Sequence, residues 1–169
     1  NAGQRCAAGS RIIIFDAVYD RFRDMLIEKT KQLMVGPTDG DDLGPVINET
    51  QLNDMIAAVE QARQEGARIL VGGSRLTDPE HAEGFYMAPT LIENADPRAG
   101  ISTREVFGPI TCLYRVRDFE EALRMANDSP YGLTACIHSR NIHRVMEFTQ
   151  KVQAGVAVAN AGTFGSEPH

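Results

Sequence analysis

Cys6 lies in the run Asn1-Ala2-Gly3-Gln4-Arg5-Cys6-Ala7-Ala8-Gly9-Ser10-Arg11, a thiol among small residues with a glycine on either side. A polar amide (Gln4) and a cation (Arg5) stand within two positions of it. Positive charge and free backbone N–H groups favour thiolate over thiol, so this run suits a nucleophile. A lone cysteine among small residues also reads as a buried spacer, and the run by itself does not separate the two. A second run, Glu105-Val106-Phe107-Gly108-Pro109, puts an acid and an aromatic ring ahead of a Gly-Pro turn. Alone, it reads as a surface acid and a core phenylalanine. The histidines at 81, 138, 143 and 169 lack metal-ligand spacing, so no metal site is expected. Cys6, Cys112 and Cys136 have neither disulfide-framework nor zinc spacing.

Taken together, the Gly-Gln-x-Cys and Glu-x-Phe-Gly-Pro runs, in that order and at that separation, resemble the catalytic domain of the aldehyde dehydrogenase superfamily. Further stretches share the resemblance: Gly44-Pro45-Val46, Gln64-Glu65-Gly66-Ala67 leading to Gly72-Gly73, and Tyr86-Met87-Ala88-Pro89-Thr90. So do Asn127-Asp128-Ser129-Pro130-Tyr131-Gly132-Leu133 and Ala154-Gly155 ahead of Asn160. The resemblance covers nearly the whole chain. It implies that Cys6 attacks an aldehyde carbonyl, that its own backbone N–H helps to hold the oxyanion, and that NAD or NADP accepts hydride. A thioester then remains for water to hydrolyse to a carboxylic acid. It implies that Glu105 accepts hydrogen bonds from the nicotinamide ribose, that Phe107 packs near the nicotinamide ring, and that Asn160 and Phe164 border the substrate passage. Residues 1–169 would then be most of the catalytic domain.

In such enzymes the oxyanion-hole asparagine, the general-base glutamate and the cofactor domain precede the cysteine, and the oligomerisation strand follows. The chain therefore reads as a piece of a longer homo-oligomer (dimer or tetramer), inactive on its own. Competing readings are an acylating member that passes the thioester to coenzyme A, a noncatalytic module that kept the fold, and a thiol hydrolase. The last leaves the Glu105 run unexplained and has no legible Cys-His-Asn arrangement.

The elements that would position these groups alternate. Arg11 to Phe15 holds three consecutive isoleucines, as in a strand buried on both faces. Asp16 is expected to cap a helix whose Val18, Phe22, Met25, Leu26 and Leu33 form a core-facing stripe, ending at Gly36-Pro37. Asp39-Gly40-Asp41-Asp42 is a solvated turn without the order of a calcium loop. A second helix spans about Asn48 to Glu65, with Leu52, Met55, Ile56, Val59 and Ala62 on one face. Strands follow at Ala67–Val71 and Ile110–Val116, with an extended Tyr86–Ile92 between them. Asp118 caps a short helix, Leu133–His138 is a strand, Asn141–Gln153 a helix, and Val156–Ala159 a last strand. Gly72-Gly73 lacks the spacing of a dinucleotide loop. The pattern predicts an α/β fold with an open, largely parallel sheet flanked by helices, of the aldehyde dehydrogenase catalytic-domain type, with Cys112 and Cys136 as core thiols.

Composition agrees with an ordinary globular chain: 169 residues, 43% apolar, 24% charged, net charge −6. That length is enough for one real core. Dispersed basic residues argue against a nucleic-acid or anionic-membrane surface. No apolar stretch reaches the ~18 residues of a membrane span, and reduced thiols in a cytoplasm are the simplest reading of the cysteines. A small-molecule aldehyde is the expected partner.

Overall fold

The structure is a computed structural model and describes residues 1–163. β1 (Arg11–Phe15), β4 (Ile110–Val116), β3 (Thr90–Glu93) and β2 (Arg68–Val71) form a four-stranded sheet in the order β1-β4-β3-β2. β1 and β3 run parallel to β4 on either side of it, and β2 is antiparallel to β3. β5 (Thr134–Ile137) and β6 (Val156–Ala159) pair in parallel as a separate two-stranded sheet. The fold is thus α/β with a mixed, largely parallel sheet, divided into two parts where the alternation alone suggested one.

α2 (Glu49–Gln64) supplies the main core. Asn48 caps it by accepting from the Gln51 N–H at 2.8 Å, and Leu52, Met55, Val59 and Ala62 face inward at helical spacing. They pack on Ile92 and Cys112 of the central strands, and Leu52, Met55 and Ile92 are wholly buried. Burial of such side chains contributes about 1.5–3 kcal/mol each, which makes this layer the platform of the molecule. Cys112 is the core thiol expected, and burial pushes its pKa up to about 11. Cys136 is half-buried instead, its Sγ donating to the Ala161 carbonyl at 3.0 Å, 3.5 Å from His138 Nε2.

α1 (Asp16–Lys31) departs from the expected orientation. Phe15, not Asp16, holds the cap position, and Asp16 lies in the first turn with its carboxylate paired to Arg115 of β4. Val18, Phe22, Met25 and Leu33 are exposed, while Tyr19 and Thr30 are buried. The reason lies at Glu93, the last residue of β3, which is buried and needs partners. Tyr19 Oη donates to its Oε2 at 3.1 Å, and Arg68 Nε on β2 reaches its Oε1 at 3.0 Å. Arg23, one turn after Tyr19, lies 3.8 Å from the same acid. The helix turns its Tyr19–Arg23–Leu26 face to the sheet to satisfy that carboxylate, at the expense of the more apolar stripe. It stops at Lys31 because Met34 is drawn into a strap over 34–43, its N–H donating to Asp42 Oδ2 at 2.8 Å.

A short α3 (Gly100–Thr103), with no periodicity to announce it, crosses from β3 to β4. α4 (Phe119–Asn127), capped by Asp118, and α5 (Ile142–Lys151), capped by Asn141, complete the layers. Among the described residues no helix is long and apolar enough to cross a membrane.

Candidate active site

Parallel pairing decides where the two motif runs meet. β1 and β4 lie in register with Arg11 opposite Cys112, so the residues that enter these strands arrive at the same end of the sheet. Cys6 precedes β1 and Glu105–Pro109 precedes β4. The contacts between the two entry loops are close. Gly3 has φ +70°, and a Cβ there would lie 2.7 Å from the carbonyl carbon of Gly108, closer still to its oxygen. Only a residue without a side chain allows this approach. Thr111 Oγ1 donates to the Gly9 carbonyl at 3.2 Å, and the Cys112 N–H to the Ser10 carbonyl at 2.9 Å.

Gln4 anchors the cysteine loop from the other side. Its Nε2 donates to the carbonyls of Asn1 and Pro45, each at 3.1 Å, and its Oε1 accepts from the Ile47 N–H at 2.9 Å. The loop then closes on itself where the Ala8 N–H donates to the Arg5 carbonyl at 3.0 Å, with Cys6 exposed at the apex. The Cys6 N–H has no acceptor among the described residues. Thr163 Oγ1 donates to the Ala7 carbonyl at 2.6 Å, so the segment after β6 lies against the same loop.

Glu105 and Phe107 are both exposed, and the Glu105 carboxylate has no partner among the described residues. Their backbone is held firmly. The Glu105 N–H donates to Tyr131 Oη at 3.3 Å, Gln51 Nε2 donates to the Val106 carbonyl at 2.8 Å, and the Thr90 N–H to the Pro109 carbonyl at 2.7 Å. Phe107 has φ 52°, a left-handed conformation costly for an aromatic residue. A carboxylate that only accepts, beside an exposed ring on a fixed loop, fits a ribose diol and a flat heterocycle.

Asn160 also has positive φ, 54°, and its side chain is engaged at both ends. Its Oδ1 accepts from the Ser139 N–H at 2.9 Å and its Nδ2 donates to the Ser139 carbonyl at 3.0 Å. Phe164 lies outside the described residues. The structure therefore joins Cys6, Glu105 and Phe107 at one sheet end, and ties Asn160 to the loop after β5. Gln51, Tyr131 and Thr163 also contact these loops, and the sequence reading gave them no role. Each acts through a hydrogen bond to a backbone group far along the chain, which no local pattern signals. Among the described residues no group of three or more His, Cys, Asp or Glu is placed to hold a metal ion.

Comparison with known proteins gives the family and the fold. The profile described as "Aldehyde dehydrogenase family" matches residues 1–169. An alpha-ketoglutaric semialdehyde dehydrogenase of Bacillus subtilis is 36% identical over 169 residues, covering 99% of this chain and 35% of the relative. A 3,6-anhydro-alpha-L-galactose dehydrogenase of a Vibrio species is 39% identical over 164 residues, covering 96% of this chain and 34% of that protein. The crystal structure of a betaine aldehyde dehydrogenase from Staphylococcus aureus in complex with NAD+ superposes with a TM-score of 0.93 at 33% identity, covering 99% of this chain and 33% of that one. The chain spans about a third of the length of these relatives.

Proposed function

Because the chain belongs to the aldehyde dehydrogenase family, we propose that residues 1–169 carry most of the catalytic, thiol-bearing domain of an NAD(P)-dependent aldehyde dehydrogenase. The observation that carries this reading is the junction of the Cys6 loop with the Glu105–Pro109 loop, locked where Gly3 meets Gly108.

In this reading the Cys6 sulfur forms a bond to the aldehyde carbon while the carbonyl electrons move to oxygen. The N–H of Cys6, which has no other acceptor among the described residues, donates to the resulting oxyanion. Glu105 takes the ribose hydroxyls of the dinucleotide, and Phe107 limits where its nicotinamide ring can lie. The cofactor, when bound, supplies the two-electron acceptor. Cys6 then holds the oxidised carbon as a thioester, and attack by water breaks the C–S bond to release the acid. Asn160 would shape the substrate passage indirectly, by fixing the loop around Ser139.

The cofactor-binding domain, the general base and the oligomerisation strand would come from the two thirds of the family's length that lie outside residues 1–169, and the assembled enzyme would be a homo-oligomer. An aldehyde is the proposed substrate class, and the relatives named above act on differing ones. The test is to express residues 1–169 within a polypeptide that supplies the remaining family length and follow reduced-cofactor absorbance with an aldehyde and NAD+ or NADP+. Turnover that disappears in Cys6→Ala, with cofactor binding retained, supports the reading. Turnover of more than a few per cent in that variant overturns it.

A further inference from the structure

His81 is buried, and its two ring nitrogens face two oxygen acceptors. Nδ1 lies 2.7 Å from both carboxylate oxygens of Asp78, and Nε2 lies 2.7 Å from the Val35 carbonyl. A carbonyl cannot donate. The Asp78 carboxyl is held below its usual range, chiefly by its bond to His81, so it is ionised and accepts only. A neutral imidazole has one proton, and either tautomer would aim a lone pair at an oxygen 2.7 Å away. The imidazolium alone satisfies both contacts.

The groups around the ring favour that cation. Asp78 and Glu80 on its own loop and Asp41 on the facing strap are acids that interact with it electrostatically. The basic group on this side, Arg75, is occupied by the Gly84 carbonyl at 3.1 Å and Glu49 at 3.6 Å. The Tyr86 ring closes the remaining side, edge-on at 4.9 Å between centroids.

What the ring holds is connected to the cysteine loop. Val35 belongs to the 34–43 strap, closed where the Gly36 N–H meets the Leu43 carbonyl at 3.0 Å and the Leu43 N–H meets the Met34 carbonyl at 3.1 Å. The chain continues into Pro45–Ile47, the residues that grip Gln4. Between them, the Val46 N–H donates to the Phe85 carbonyl at 2.8 Å, and Phe85 follows Gly84, whose N–H donates to the His81 carbonyl at 3.2 Å. The 78–86 loop thus holds the strap through the His81 ring and the segment that follows it through Phe85.

We infer that His81 is a charged latch: its imidazolium ties the 34–43 strap to the 78–86 loop, and loss of one ring proton as pH rises frees Val35 and loosens the grip of Pro45 and Ile47 on Gln4. This inference does not depend on the chemistry assigned to Cys6. The bond to the Val35 carbonyl, then that to Asp78, raises the His81 pKa above its ordinary value of 6.5. For a base raised in the folded state, the stabilisation is complete below the ordinary pKa and is lost as pH climbs through the raised one.

The test is a nitrogen-15 NMR titration of His81 in the 169-residue chain, with amide exchange measured at Val46 and Ile47 from pH 6 to pH 9. At pH 7 both ring nitrogens of His81 should carry protons. Over the titration, exchange at Ile47 should quicken about tenfold or more beyond its intrinsic base-catalysed rise, the factor for losing one hydrogen bond from a charged donor. Asp78→Asn should move that transition to lower pH, and His81→Gln should show the fast exchange at both ends of the range. A His81 ring with a single proton at pH 7, or Ile47 protection unchanged across the range in the unmodified chain, overturns the latch. Neither result requires the variants to fold.

Discussion

Replacing Gly3 by alanine tests whether the two motif loops are one rigid unit. The new methyl would lie 2.7 Å from the Gly108 carbonyl carbon, and Gly108 is itself backed by Met55, which a Cβ at 108 would meet 2.6 Å from Sδ. Neither backbone has room to yield. The left-handed φ of +70° adds about 1–2 kcal/mol for any L-residue, and the overlap adds about 1–3 kcal/mol. Restriction of the unfolded chain returns about 0.4–1 kcal/mol. Gly3→Ala should therefore cost about 1–4.5 kcal/mol of stability, read from urea unfolding at constant m-value. Amide exchange at Thr90 and Ile110 should quicken with it, since their N–H groups bind the Pro109 and Gly108 carbonyls at 2.7 and 2.8 Å. Gly9→Ala is the control. Nothing lies within 4 Å of a Cβ there, so the change should be neutral or stabilise by up to about 1 kcal/mol. A loss below about 1 kcal/mol in Gly3→Ala, with Thr90 and Ile110 unaffected, would refute the locked junction.

Tyr19 is pushed from 10.0 up to about 12 by burial and then by Glu93, so the fold prefers the neutral phenol. That contribution is complete below pH 10 and is lost between 10 and 12; ultraviolet titration should show Tyr19 and the buried Tyr114 ionising late, and only the Tyr19 pKa should fall in Glu93→Gln. Brief iodoacetamide treatment of the native chain should label exposed Cys6 and spare Cys112, whose buried thiol is pushed up to about 11; peptide mapping that finds Cys112 labelled first would contradict the core assignment. Leu52→Ala, wholly buried in the main core, should cost about 2–5 kcal/mol in chemical denaturation. With the remaining family length supplied, Glu105→Gln should slow reduced-cofactor formation in stopped flow by about a hundredfold, more than it weakens binding; an unchanged step would return Glu105 to a surface acid.

Strands and helices with an unambiguous period were legible from residues alone. β1, the α2 face and the Val156–Ala159 strand all stand where their patterns put them, and Asp118 acts as the expected cap; β1 is, however, an edge strand in which only Ile14 is buried, not a strand buried on both faces. The orientation of α1 was not legible, because a helix read by itself cannot show that Glu93 on a strand would claim Tyr19 and Arg23. α3 has four residues, too few for periodicity. Cys6 and the Glu105 run were visible as motifs, but their junction is a consequence of parallel pairing between β1 and β4. The supports were hidden for the same reason. Gln4 meets residues 41 and 43 positions away, Gln51 one at 55, and Tyr131 one at 26.

The central claim is that Cys6 carries the substrate during the reaction. Its most direct measurement is rapid quenching of the completed polypeptide with an aldehyde and NAD+, followed by peptide mapping by mass spectrometry. The account predicts one acyl group, on the peptide containing Cys6, absent in Cys6→Ser together with aldehyde oxidation. An acyl group on Cys136 or elsewhere, or oxidation that persists in Cys6→Ser, would contradict it.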